Sequence, residues 1–427
     1  MSQLLESFRE AYRNMQLLPL LEESELKKFW VEYGTETMEE LEQLVEDSPD
    51  GDSKIIFAGH RGCGKSTLLA KFGRQMADRY FVVLFSISDS IEMSDVNHIN
   101  ILFAIAVRLM DEADKQQIKI KDSTKEPFYK WFAKHTRTEI KEFKAETGAG
   151  FNLFEIISGK LKADASVRED IKQEFGRKIS DLIARINEIA AVVQNASKKE
   201  ILVVIDDLDK IDLGVVRQIY IEHIKALFQP NFRIIFTVPI SALREVAIEA
   251  TLRTETNNEI LIMPVYKLFK QGERYLTNSV PIQEPVARLT DVISKRISRE
   301  LIEPETVERI IIFSGGVLRE LVRITNECCR ICLRLIRRKP DDLEIKINAE
   351  VLEEAITKIR IDFDTRIGKA DYEVLEQTYQ EFTPNDPKEQ RFLDLLHGLY
   401  VLEYRNSKLW YDVHPIVTEL LQEKGRV

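Results

Sequence analysis

Gly59-His60-Arg61-Gly62-Cys63-Gly64-Lys65-Ser66 decides the reading of this chain, because its spacing is G-x-x-x-x-G-K-[ST], that of a phosphate-binding loop. The flanks agree with it. Lys54-Ile55-Ile56-Phe57-Ala58 leads in as an apolar strand, and Thr67-Leu68-Leu69-Ala70-Lys71-Phe72 leads out as a helix. Glycines let backbone N–H groups crowd around phosphate oxygens, and the helix N-terminus favours an anion. The nucleotide-binding set is therefore Gly59, His60, Arg61, Gly62, Cys63, Gly64, Lys65, Ser66 and Thr67. Lys65 is placed to reach the β- and γ-phosphates, and the Ser66 hydroxyl to ligate Mg²⁺. A glycine turn that binds nothing, or a degenerate loop that only holds a nucleotide, would share the spacing.

Further along, Ile201-Leu202-Val203-Val204-Ile205-Asp206-Asp207 is a strand that delivers carboxylates. Asp206 is the expected second Mg²⁺ residue, through water. Asp207 resembles the position at which related ATPases place the base that polarises the attacking water, often a Glu; Asp is one methylene shorter, which implies slow catalysis. Asp209 and Asp212 add further acid. Helix N-capping is the alternative for Asp207 and Asp209.

Five apolar runs read as buried parallel strands: Lys54–Ala58, Phe81–Ser86, Ile201–Ile205, Phe232–Thr237 and Glu259–Met263. Helical patterns separate them, which implies an α/β layered sheet. Between Lys65 and Asp206 lies a helical insertion at about 109–198. Within it Val167, Ile171, Phe175, Ile179, Leu182, Ile186, Ile189 and Val193 recur at three or four and define one face of a long helix. Gly148-Ala149-Gly150 divides the insertion. The face packs either on its own domain or on a partner.

The chain has 427 residues, 44% hydrophobic and 31% charged, with a net charge of −10. That length exceeds one ordinary core. The acidic balance argues against a nucleic-acid coat protein, without excluding a local basic patch. No apolar run reaches the ~18 residues of a membrane span. Met1–Glu6 has no basic region followed by an apolar stretch, so no secretory signal is read and a cytoplasmic location is expected. Cys328, Cys329 and Cys332 cluster without a second metal-ligand pair and read as buried thiols.

The two nucleotide motifs, the insertion and the order of later segments resemble the AAA+ and STAND branches of P-loop ATPases, including origin-recognition-type initiators. The resemblance implies an α/β P-loop NTPase parallel sheet with a helical insertion, a helical lid domain and a C-terminal winged-helix-like module. The implied boundaries are a helical segment at 1–48, a core at 49–280, a lid at 281–365 and the last module at 366–427. Pro281 and Pro285 mark the lid boundary. The module is expected as helices Tyr372–Gln380 and Lys388–Leu399, then strands Tyr400–Tyr404 and Leu409–Val413. By resemblance, Thr237 is the polar residue that senses the γ-phosphate. Arg319, after the Ser314-Gly315-Gly316 turn, is the lid arginine that contacts it, although a surface Arg in a salt bridge reads the same. An arginine acting in trans would be Arg253 or Arg244.

Other features leave two readings each. Phe29-Trp30-Val31-Glu32-Tyr33 packs on adenine or in the core. The stripe Arg319, Arg323, Arg330, Arg334 and Arg337 touches a nucleic-acid backbone or an acidic partner, or is paired with acids in the chain. Tyr404, Arg405, Lys408, Trp410 and His414 line a wing that lies on DNA or clamps protein.

The resulting expectation is an ATP-binding and ATP-hydrolysing switch with bound ATP or ADP and Mg²⁺. Nucleotide controls conformation or self-association, as in bacterial signalling or defence, with a separate protein as effector. A DNA-engaging loader and a non-catalytic nucleotide-binding adaptor are the alternatives. No N-K-x-D guanine motif is present, and ATP is the family's nucleotide.

Overall fold

The computed structural model describes residues 3–48, 51–138, 153–276, 278–405 and 408–427. Two compact units are formed. One gathers residues 37–58 and 69–261; the other gathers residues 1–36, 59–68 and 262–427.

The first unit is built on the sheet. The strands are β1 (Lys54–Gly59), β2 (Tyr80–Ser86), β3 (Glu200–Asp206), β4 (Arg233–Pro239) and β5 (Ile260–Met263). Each expected strand is present within two residues. Every position of β1 and β4 is buried, as continuous apolar runs require in a sheet covered on both faces. The order is β2-β3-β4-β1-β5. Strands β2 and β3 pair in parallel from Tyr80↔Glu200 to Ser86↔Asp206, and β3 and β4 from Leu202↔Arg233 to Ile205↔Phe236. The Ile234 N–H donates to Ser53 and the Ile56 N–H to Glu259, which brings in β1 and its outer neighbour. Strand β4, with Thr237, thus stands between the phosphate-loop strand and the strand that ends in Asp206.

The insertion belongs to this unit and packs on helix His98–Lys115. The long helix expected from residue 167 to 193 is two helices, Ala165–Gly176 and Ile179–Ser197. Gly176 is a poor helix former, and Lys178 leaves helical geometry at φ −139°, while Asp181 gives the new helix a favourable first turn. The apolar face survives the break. Seven of its eight positions are buried, and Ile179 is half-buried. The face is therefore intradomain core, each buried aliphatic contributing roughly 1.5–3 kcal/mol. Gly148–Gly150 lies outside the described residues.

The second unit contains the helices Gln3–Asn14 and Glu23–Phe29, the phosphate loop, the lid helices and the C-terminal module. Asn326, on the lid helix Leu318–Arg338, donates from Nδ2 to the Tyr12 (3.3 Å) and Met15 (2.8 Å) carbonyls and fixes the first helix. The three lid cysteines are buried on the same helix, and burial pushes the Cys332 thiol up to about 12. The C-terminal module runs helix Lys369–Glu381, helix Gln390–His397, β6 (Val401–Arg405), β7 (Leu409–Val413) and helix Pro415–Glu423. The expected helix-helix-hairpin layout is present, with one more helix. Pro415 at its first turn and a His414 Nδ1 cap on the Ile416 N–H (3.3 Å) start that helix. A buried cluster fixes the hairpin. Arg274 donates to the Val413 carbonyl (3.1 Å) and Thr418 Oγ1 (2.9 Å) and pairs with Asp412 at 3.4 Å, while Tyr275 donates to Asp412.

Candidate nucleotide site

The phosphate loop starts where β1 ends and stops where helix Lys65–Met76 begins. Gly62 and Gly64 adopt φ +77° and +101°. A Cβ on Gly62 would lie 2.4 Å from the Arg319 Cβ, and one on Gly64 would lie 2.9 Å from Leu318. Glycine is therefore required by both dihedral and contact. Among the described residues, the N–H groups of Gly62, Gly64 and Ser66 and the Ser66 hydroxyl have no protein partner. A row of unsatisfied donors at a helix N-terminus fits phosphate oxygens, and a hydroxyl without a partner fits a hydrated cation. The Lys65 ammonium is buried and donates to the loop carbonyls of Gly59 (3.1 Å) and His60 (2.7 Å), with the Cys63 sulfur at 3.8 Å. Thr67 Oγ1 accepts the Leu20 N–H at 3.0 Å.

Arg319 lies in the first turn of the lid helix, as expected. Its N–H donates to the Gly62 carbonyl at 3.0 Å, so the lid helix starts on the loop itself. Its side chain is exposed, and among the described residues no side-chain partner is found for it. The buried Glu320 beside it has its carboxyl pushed up by burial, against the opposing pull of Arg323 and Arg319. Gly315 and Gly316 make the turn before the helix at φ +61° and +82°. Tyr33 packs its ring 4.6 Å from Tyr266 and donates its hydroxyl to the Pro264 carbonyl (3.1 Å). Burial is the main cause that raises its hydroxyl, with Cys63 and Tyr266 adding to it. That residue of the aromatic segment is core.

The sheet unit holds the acids. Oxygens of Asp206, Asp207 and Asp209 lie within 4.8 Å of one another, and all three residues are buried. Such a set of hard oxygen donors suits a divalent cation. Asp207 has φ +68° and is tied down: Oδ2 accepts from Ser86 Oγ (2.7 Å) and Ser88 Oγ (3.2 Å), and Oδ1 pairs with Lys210 at 2.5 Å. Burial would raise its carboxyl, but the bonds from Lys210, Ser86 and Ser88 outweigh it and hold the group below its ordinary value. Asp207 stands at the N-cap position of the next turn without a side-chain cap bond, and Asp212 Oδ1 caps the following helix by accepting the Gly214 N–H at 2.7 Å. Thr237 is fully buried. Its hydroxyl donates to the Ile205 carbonyl (3.1 Å) and accepts the Leu208 N–H (3.0 Å), which fixes the turn that carries Asp206 and Asp207. Ser86 and Ser88 were not legible as partners, because only the pairing of β2 with β3 brings them to Asp207, whereas Lys210 is a local partner three residues on.

The remaining basic residues are mostly accounted for within the chain. Arg253 pairs with Glu249 at 3.0 Å, and Arg244 donates to the Leu243 carbonyl at 3.3 Å. On the lid stripe, Arg323 pairs with Glu320 and Asp362, Arg330 with Glu327 and Arg334 with Glu354. Those three arginines are the internally paired face. In the hairpin, Tyr404, Trp410 and His414 are buried, with Tyr404 and Trp410 stacked at 4.7 Å, and Arg405 pairs with Glu403 at 2.8 Å. Tyr404, Trp410 and His414 therefore belong to the module's own core, while Arg405 stays exposed beside Glu403.

Among solved structures, the chain is similar to Cdc6p from Pyrobaculum aerophilum, at 10% identity over 96% of this chain and 97% of that chain, with a TM-score of 0.42. It is similar to the Aeropyrum pernix ORC1 protein, determined in complex with DNA, at 11% identity over 95% and 96%, with a TM-score of 0.41. A point variant of Thermotoga maritima RuvB gives 15% identity over 95% and 99%, with a TM-score of 0.38. No curated protein matches the chain. Among the described residues no helix is long and apolar enough to cross a membrane. Residues 36–262, more than half of the chain, match the KAP family P-loop domain, and the chain belongs to that family of P-loop NTPases.

Proposed function

We propose that this P-loop NTPase is an ATP-binding, slowly hydrolysing switch whose nucleotide state governs conformation or self-association. One observation carries the reading. The loop whose N–H groups are left for phosphate is also the loop on which the lid helix begins, through Arg319 and Gly62. Any change that phosphate makes to the loop is therefore made at the lid's first turn, and a response requires only that the two nucleotide states contact the loop differently.

In this reading Gly59 to Thr67 bind the triphosphate. Lys65 exchanges loop carbonyls for phosphate oxygens, and Ser66 and Asp206 hold Mg²⁺, which neutralises charge on the phosphates when bound. Asp207, fixed in ionised form by its serines and Lys210, orients water. Thr237 acts by holding the turn that bears both carboxylates. Arg319 reports the γ-phosphate to the lid. The division at 1–48, 49–280, 281–365 and 366–427 is the functional division we adopt, and a separate protein is the proposed effector, with cytoplasmic action. A trans role for Arg253 or Arg244 draws no support from their local pairing.

The test is phosphate release and nucleotide titration on purified protein, with light scattering without nucleotide, with ADP and with a non-hydrolysable ATP analogue. Lys65→Ala and Asp206→Ala are expected to lower turnover by roughly 100-fold or more. Turnover unaffected by Lys65→Ala overturns the proposal. Binding without turnover, and with no change of mass or shape between nucleotides, replaces it with the adaptor reading.

A further inference from the structure

His60 and Arg61, the two residues after the first glycine of the loop, both reach the C-terminal module, more than 300 residues away in sequence. The His60 ring is buried, and its Nε2 accepts the Glu403 N–H at 2.8 Å. Arg61 Nη2 lies 2.6 Å from His397 Nε2. In the hairpin, Glu403 stands opposite Tyr411, whose own N–H is directed outward to the Phe382 carbonyl. The Glu403 amide likewise leaves the hairpin, and the loop's histidine takes it.

The chemistry fixes the protons. A guanidinium has donors and no acceptor, so His397 Nε2 must offer its lone pair and the ring is neutral, with its proton on Nδ1. His60 Nε2 accepts an amide and carries its proton on Nδ1 as well. Neither contact uses a loop amide. With the Gly62 carbonyl held by the Arg319 N–H, consecutive residues 60, 61 and 62 are each anchored outward, while the N–H groups of Gly62, Gly64 and Ser66 stay unsatisfied. Glycines at φ +77° and +101° adopt that shape freely but do not hold it. Something else must, if the loop is to meet phosphate already formed.

We propose that His397 is a positioning residue of the phosphate loop, acting through Arg61, so that the C-terminal module is a working part of the nucleotide site. The proposal rests on the nucleotide reading above and specifies what shapes that site. By linkage, phosphate on the loop must also steady the strand that holds it.

The test is titration of ADP and a non-hydrolysable ATP analogue into full-length wild type, Lys65→Ala, His397→Ala and His397→Gln. Amide hydrogen exchange at Gly59–Ser66 and Val401–Arg405 is followed with and without ADP. Gln keeps an acceptor where Nε2 stands; Ala does not. His397→Ala is expected to weaken binding about tenfold, the effect of losing one charge-assisted hydrogen bond. His397→Gln is expected to bind as wild type. ADP should slow exchange in Val401–Arg405 in wild type and His397→Gln, and less so in His397→Ala, where only the His60–Glu403 contact still joins loop and strand. If wild type binds, Lys65→Ala does not, and His397→Ala matches wild type in affinity and exchange, the positioning role is overturned and the nucleotide reading stands. Equal weakening in Ala and Gln variants also overturns it, since bulk rather than the lone pair would then matter. If wild type binds no nucleotide, both fall.

Discussion

A methyl group on Gly316 would lie 1.8 Å from the Tyr266 carbonyl oxygen, at a residue whose φ is +82°. The left-handed backbone costs an L-residue roughly 1–2 kcal/mol, and a backbone atom cannot step aside as a side chain can. Gly316→Ala is expected to destabilise the lid unit by more than that, read as a lowered urea midpoint. Gly159 is the contrast, with nothing within 4 Å of its Cβ position in helix Leu153–Ala163. There Gly159→Ala should stabilise by roughly 0.5–1 kcal/mol in the same assay. His414 supplies a pH response. It is wholly buried, and burial, with Arg274 and Arg323 adding to it, pulls its imidazole down to about 3. Below the ordinary value near 6.5 the unfolded chain takes up a proton that the folded ring refuses. Stability is therefore present above pH ~6.5 and lost as pH falls toward 3, by about 1.4 kcal/mol per unit at the steepest. His414→Asn keeps a capping oxygen for the Ile416 N–H without titrating, and should flatten that part of the denaturation profile. None of these environments could be read from residue type. The glycine spacing announced a loop at 59–64, but not what Gly316 touches.

Strands and helices were more legible than their breaks. Continuous apolar runs located the strands of the sheet, most plainly β1 and β4, which are buried at every position. The insertion's apolar period was right about burial and silent about the break at Arg177–Lys178, since the buried positions keep their spacing across it. Helix Pro415–Glu423 lies past the last element expected from the sequence; it starts on Pro415 and the His414 cap and packs mainly on helix Ala349–Asp364. The hairpin rests in part on one buried ion pair, Arg274 with Asp412. Removing Arg274 leaves Asp412 buried, and burial already raises that carboxyl against the pull of the arginine. Arg274→Met should cost about 3–5 kcal/mol at neutral pH. Without its partner Asp412 folds better protonated, so the loss should be smaller near pH ~5 than near pH ~8. Melting curves at the two values check it, and equal losses would mean that Asp412 is not charged in the native state.

At the scale of the whole molecule, the chain leaves its N-terminal helices, visits the sheet, returns for the short stretch Gly59–Leu68, and comes back after β5. Nucleotide on that short visit should stabilise the unit that contains it. With ligand at about 100 times its Kd, the gain is about 2.7 kcal/mol. A scan with saturating ADP should show a raised Tm in wild type and none in Lys65→Ala. A shift that persists in Lys65→Ala would place the nucleotide elsewhere. The phosphate loop, the acidic strand and the sheet class were readable from one dimension, because each is a local pattern of periodicity or spacing that needs no distant partner. Long-range packing alone shows that Asp207 is held by Ser86 at the end of β2 and Ser88 just past it, that most of the arginine stripe is satisfied within the chain, and that His60 and Arg61 answer to a strand and a helix near the C-terminus. Most of those contacts join groups from 20 to more than 300 residues apart, some of them backbone amides that every sequence has, and no one-dimensional pattern records which of them meet.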